Sequence, residues 1–85
     1  MKSVSFHQHA WEQFVSWQTQ NPKLAARIAR LISECRHSPF VGIGKPEPLK
    51  HDLKGCWSRR INEEHRLVYM VSDTAITIIS CNDHY

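Results

Sequence analysis

No two of the three cysteines in this 85-residue chain are spaced as CxxC; Cys35, Cys56 and Cys81 are odd in number and far apart. That excludes a zinc ribbon and a thioredoxin-like motif, and reduced, mostly buried thiols in a cytoplasmic protein are expected. Six histidines are present, yet none forms HxxxH or HExxH or stands at finger spacing from a cysteine. No metal and no cofactor is therefore expected, and nothing marks one cysteine as an activated nucleophile. No apolar run approaches the roughly 18 residues of a membrane span. The opening Met1-Lys-Ser-Val-Ser-Phe-His has no apolar h-region, so neither a membrane partner nor secretion is expected. Glycine is scarce, and Gly42-Ile43-Gly44-Lys45 fits no nucleotide loop. A Walker A loop needs glycine where Pro39 stands and Ser or Thr where Pro46 stands; GxGxxG needs a third glycine at Glu47. A stiff connector is the better reading.

What is present suits one compact domain, residues 1–85, since the chain is too short for two. Such a chain buries only about 60–65% of the surface it exposes when unfolded, so its core is thin. The apolar fraction of 41% lies well above that of disordered chains, and three Trp, three Phe and two Tyr supply bulk. The net charge of +3 is unevenly spread. Residues 36–66 hold seven Lys or Arg against four Asp or Glu, whereas residues 67–85 hold two Asp and no Lys or Arg. A mild basic excess permits RNA as a partner but does not single it out.

Along the chain, Lys2 to Phe6 alternates and predicts a short strand. From Ala10 to Gln20, Trp11, Phe14, Val15 and Gln18 recur at helical spacing, with Ala10 and Trp17 widening the stripe. Core packing is a simpler account of it than an aromatic RNA platform. Asn21-Pro22 caps a second helix, about Lys23 to Arg36. Leu24, Ile28, Leu31, Ile32 and Cys35 form its apolar face, with Arg27 and Arg30 on the solvated side. Ser38-Pro39 ends it. Residues 39–48 form a loop with three Pro and two Gly. Short runs at Leu49–Leu53, Cys56–Ile61, Arg66–Val71 and Ala75–Cys81 then predict strands joined by turns. The expected class is α+β: two N-terminal helices packed on a mainly antiparallel, twisted sheet.

The C-terminal half also carries a polar constellation. Glu47 sits between Pro46 and Pro48, with Lys50 and His51 close behind. Arg59 and Arg60 are consecutive on a strand and so point to opposite faces. Arg66 opens the next strand, and His84 and Tyr85 are the last two residues. Any one of these is most often a surface residue. As a set they are the residue types that cut RNA without a metal. A base takes the ribose 2′-OH proton, an acid protonates the leaving 5′ oxygen, and cations meet the charge on the phosphate. A terminal tyrosine can stack on an exposed base.

Gly44-Lys-Pro-Glu-Pro-Leu-Lys-His51, Gly55-Cys-Trp-Ser-Arg-Arg-Ile61, Glu63-Glu-His-Arg-Leu-Val-Tyr69 and His84-Tyr85 closely resemble the YoeB/Txe toxins of the RelE superfamily. The likeness runs from about Ser38 to the C-terminus, with Trp17-Gln18 a weaker match upstream. Phe6-His-Gln-His departs from the acidic stretch expected there, which touches the first helix and no catalytic position. The resemblance implies a RelE-like fold and a ribosome-dependent mRNA endonuclease of a bacterial type II toxin–antitoxin pair. Such a toxin cuts mRNA in the ribosomal A site, needs no metal, and is silenced by a YefM/Phd-type antitoxin. The general base then falls on Glu47, the phosphate-stabilising arginine on Arg66, the general acid on His84 and the terminal aromatic on Tyr85. Lys50 and Arg60 match supporting basic positions, and His51 matches a further motif position. Implied partners are the antitoxin, the 70S ribosome with mRNA, a second copy as a homodimer, and operator DNA indirectly through the antitoxin complex. Asp83, beside His84, is placed to influence its proton affinity. The alternative is a non-catalytic module of the same fold that binds the ribosome or a protein.

Overall fold

In a computed structural model, which describes residues 1–83, the chain forms two helices and five strands. In order these are β1 (Ser3–Phe6), α1 (Gln8–Gln20), α2 (Pro22–His37), β2 (Glu47–Pro48), β3 (Trp57–Arg60), β4 (Arg66–Val71) and β5 (Ala75–Asp83), with one 3-10 turn at His51–Leu53. The strands make a single sheet in the order β1-β5-β4-β3-β2. Only the β1–β5 pair is parallel. This is the α+β arrangement expected of the sequence.

α2 forms as its pattern predicts. Asn21 Oδ1 accepts the Leu24 N–H at 3.2 Å, and Pro22 occupies the first turn, where its missing N–H costs nothing. Its buried face is Leu24, Ala25, Ile28, Leu31, Ile32 and Cys35, set against Leu67, Tyr69, Ile76 and Ile78 of the sheet. Arg27 is not fully solvated as expected. Its Nε donates to the Ile61 carbonyl at 2.8 Å and ties the helix to the end of β3.

α1 departs from the core-stripe reading. Ala10 is buried, and Phe14 and Trp17 are half-buried, but Trp11 is 51% exposed and Val15 47%. A small sheet gives α1 mainly β5 and α2 to pack on, with a lesser contact to β1. The rest of the stripe gathers locally, with the Phe6 ring 5.4 Å from Trp11 and 5.8 Å from Phe14. The strand expected at Leu49–Leu53 is also absent. β2 is instead Glu47–Pro48, paired with Ser58 and Trp57. One more bond follows, from Leu49 N–H to the Cys56 carbonyl at 2.9 Å, and the chain then leaves the edge through His51 in the left-handed region and winds into the 3-10 turn.

Arg59 and Arg60 do point to opposite faces, and Arg59 points inward to complete burial. Its Nε donates to the Tyr69 hydroxyl at 3.2 Å, Nη1 to the Ile43 carbonyl at 3.0 Å, and Nη2 to the carbonyls of Ser38 and Val41. The Tyr69 hydroxyl donates in turn to the Pro39 carbonyl at 2.7 Å. Glu34 Oε1 lies 3.9 Å from Nη1 and accepts the Ile43 N–H. Burial pushes the Tyr69 phenol up to about 12 and the Cys35 thiol up to about 11, the nearby Arg59 opposing both shifts. Both groups therefore keep their protons at neutral pH.

The 38–44 segment is wrapped on this guanidinium so closely that two glycines are obligatory. A Cβ on Gly42 would meet Glu34 Oε1 at 1.9 Å, and one on Gly44 would meet Arg59 Cβ and Leu31 Cδ2 at 3.0 Å. Both glycines also have positive φ, +117° and +81°, where side chains are strained. Removing Arg59 would leave its partners buried without a donor. Arg59→Ala should therefore cost about 3–5 kcal/mol in urea unfolding, a large share of the ~5–15 that holds a domain together. Arg59→Lys, which keeps the charge without the fork of donors, should also lose stability.

Candidate active site

Residues directly opposite on paired strands share a face of a sheet. Glu47, Ser58 and Val68 form one row across β2, β3 and β4, and Arg60 and Arg66 are partners in the next. Arg66 is also the register partner of Asp83 on β5. Arg59, Leu67 and Tyr69 belong to the opposite, helix-covered face. Strand alternation thus puts the acidic and basic candidates on the face that the helices leave open.

The Glu47 carboxylate is ion-paired with Arg66 Nη1, which also donates to Ser58 Oγ at 3.3 Å. Exposure grades across the three. Ser58 is fully buried, the Arg66 side chain is 15% exposed and that of Glu47 is 54%. The arginine is rooted while the carboxylate remains within reach of a ligand. Among the described residues, Nη2 and Nε of Arg66 make no side-chain hydrogen bond.

Arg66 owes its place to the turn before it. Asn62 Oδ1 accepts the backbone N–H groups of Glu64 and His65 at 2.9 and 2.7 Å, an Asx turn that closes the β3–β4 hairpin. A groove of about 340 Å³ lies against it, lined by Arg60, Asn62, Glu63 and Arg66. Lys50 and His51 are exposed on the segment just after Glu47, with His51 in the left-handed region at φ 58°. Neither makes an ion pair with Glu47 among the described residues. The geometry thus joins Glu47, Arg60 and Arg66 on one face, with Lys50 and His51 at its edge. His84 and Tyr85 lie outside the described residues. Also among the described residues, no group of three His, Cys, Asp or Glu side chains is arranged to hold a metal.

Ser58 is the site residue that sequence reading missed. Its sole sequence signal is that it alternates with Arg59 on β3, which does not distinguish it from any small polar residue on a strand. Chemically the arrangement joins a reachable carboxylate, able to take a proton, to a fixed guanidinium, able to bind an anionic oxygen beside it.

The family model for the YoeB-like toxin of bacterial type II toxin-antitoxin systems matches residues 6–85. A curated "Toxin YoeB" from Mycobacterium bovis is 52% identical over 85 residues, covering 100% of both chains. Two solved structures from Staphylococcus aureus superpose closely. A YoeB dimer has a TM-score of 0.92 at 42% identity, covering 99% of this chain and 98% of that one. A YoeB–YefM complex has a TM-score of 0.89 at 44% identity, covering 100% and 99%.

An ion pair that solvent reaches from one side contributes little to folding. A double-mutant cycle of Glu47→Gln and Arg66→Met, read by urea unfolding, should give a coupling of no more than about 1 kcal/mol. A coupling of several kcal/mol would make the pair a structural brace instead of a chemical one.

Proposed function

This chain belongs to the YoeB-like toxins of bacterial type II toxin–antitoxin systems, and from that premise we propose that it is a ribosome-dependent endonuclease that cuts mRNA in the A site. Glu47 takes the proton of a ribose 2′-OH, and the O2′ so freed attacks the adjacent phosphorus. The bond to the 5′ oxygen breaks as His84 delivers a proton to it, leaving a 2′,3′-cyclic phosphate on one fragment and a 5′-OH on the other. Arg66 binds the phosphate through its open N–H directions and stabilises the charge that builds there. Arg60 and Lys50 add positive charge around it. Tyr85 stacks on the exposed base, and His51 supports the same motif.

The observation that carries this reading is the contact of Glu47 with Arg66, rooted on buried Ser58. General-base catalysis of this kind needs the carboxylate beside the cation that receives the phosphate, and the sheet register brings the two together. The chain continues directly from Asp83, the register partner of Arg66, into His84, which supports the assignment of the acid. Charge neutralisation by three basic side chains leaves no step that requires a metal ion.

The partners follow from the same membership. A YefM/Phd-type antitoxin folds over the basic half of the domain and shields the site. The working substrate is mRNA on the 70S ribosome, which makes the cytoplasm the place of action. A homodimer, and operator DNA contact through the antitoxin complex, belong to the same reading.

Two outcomes test the chemistry. Replacing the scissile ribose 2′-OH by hydrogen should abolish cutting on programmed ribosomes, whereas EDTA, with ribosomes kept intact by polyamines, should leave it. Efficient cutting of the deoxy message would refute 2′-OH attack. Deleting His84 and Tyr85 should lower single-turnover cleavage by about 10²–10⁴-fold or more. Because Ile76 and Ile78 already fill the core end of β5, the same deletion should leave the melting point nearly unchanged. Cleavage that survives the truncation within a few-fold would move the acid elsewhere.

A further inference from the structure

The last turn of pairing between β4 and β5 is irregular. From Val68↔Ser80 to Arg66↔Asp83, β4 advances two residues while β5 advances three. An extra residue on one strand disrupts the ladder locally and leaves backbone groups to be satisfied by other means. Here side chains from outside the sheet take over. Gln13 Oε1 accepts the Cys81 N–H at 2.8 Å, and Trp17 Nε1 donates to the Cys81 carbonyl at 3.0 Å. His65 Nδ1 lies 3.2 Å from the Asn82 carbonyl, and since a carbonyl can only accept, that nitrogen carries the proton. Gln13 and Trp17 are one helical turn apart on α1 and so meet the same stretch of strand. The Trp17 and His65 rings then close edge to face, with centroids 5.0 Å apart.

Trp17 also packs against the core, yet all three polar contacts act on the two residues just before Asp83, the partner of Arg66. We propose that Gln13, Trp17 and His65 are positioning residues that fix the direction of the end of β5. They thereby hold the strand that brings Asp83 beside Arg66, and the proposed acid is the next residue in the chain. The inference rests on the catalytic reading given above. Within it, the three side chains touch no reacting atom and act through the strand they hold. A displacement of the proton donor by an ångström is enough to cost about 10²-fold in rate, so even partial loosening should be visible.

The test uses the full-length protein with Trp17→Phe, His65→Leu and His65→Asn. Asparagine can present an amide N–H close to where His65 Nδ1 stands, whereas leucine keeps bulk and removes the donor. At saturating programmed ribosomes, Trp17→Phe and His65→Leu should lower single-turnover cleavage at least about ten-fold. Half-saturation should stay within about two-fold, the pattern of lost transition-state positioning and not of lost binding. His65→Asn should recover most of the rate while melting at the same temperature as His65→Leu. Backbone amide exchange should quicken at Asn82 and Asp83 in Trp17→Phe and His65→Leu. Unchanged cleavage in all three variants would overturn the proposal. So would equal losses in His65→Asn and His65→Leu that track their melting points. If the unsubstituted protein cuts nothing, the catalytic reading fails by itself. Amide exchange then decides the clamp: faster exchange in the variants upholds it, and unchanged exchange overturns it.

Discussion

One buried cation organises this molecule. The Arg59 guanidinium is removed from water in a domain of only 85 residues, a costly arrangement unless every N–H finds a partner. Its partners are the Tyr69 hydroxyl and three carbonyls between Ser38 and Ile43, so satisfying the charge means wrapping the 38–44 segment around it. The wrapped segment leads through Lys45-Pro46 to Glu47 and sets that residue opposite Ser58 at the sheet edge. Without this anchor, Glu47 would sit at the end of a ten-residue connector with few contacts of its own. The general-base role proposed for Glu47 tolerates little error in position, and under that reading the costly internal charge serves the far side of the sheet.

The two sides are linked by the two-residue period of a single strand. On β3, Trp57 and Arg59 turn toward the helices, and Ser58 and Arg60 belong to the open face. Ser58 roots Arg66 from beneath, and Arg60 adds charge beside it. Four consecutive residues thus hold the loop that delivers Glu47 and build the bed of Arg66. Moving the register by one residue would exchange the two roles and destroy both.

Much of the frame was legible in the residue pattern. The apolar face of α2, the Asn21-Pro22 boundary and the limits of β4 follow from periodicity and turn chemistry. The site was legible mainly through resemblance. Residue types suggested metal-free RNA cleavage, but the meeting of Glu47 with Arg66 depends on β2–β3–β4 register, which no local pattern specifies. Arg59 looked like any strand arginine, because charged side chains are almost never wholly buried and alternation alone does not say which face is the core. The strand expected at Leu49–Leu53 failed because the chain turns at His51, in the left-handed region, and closes a 3-10 turn through Leu53. The α1 stripe was read as core because helical spacing does not reveal that a small sheet covers only part of a helix. His65 gave no signal, since its partner is a backbone carbonyl seventeen residues away.

The central claim is that a carboxylate, a guanidinium and an imidazole suffice to turn the message's own 2′-OH into the nucleophile. The chemical ends of the cut RNA report on this most directly. Mass spectrometry of fragments released from programmed ribosomes should find a 2′,3′-cyclic phosphate, or the 3′-phosphate it hydrolyses to, opposite a 5′-OH. A 3′-OH opposite a 5′-phosphate would mean that water attacked the phosphorus, and would contradict the assigned roles of Glu47 and Arg66.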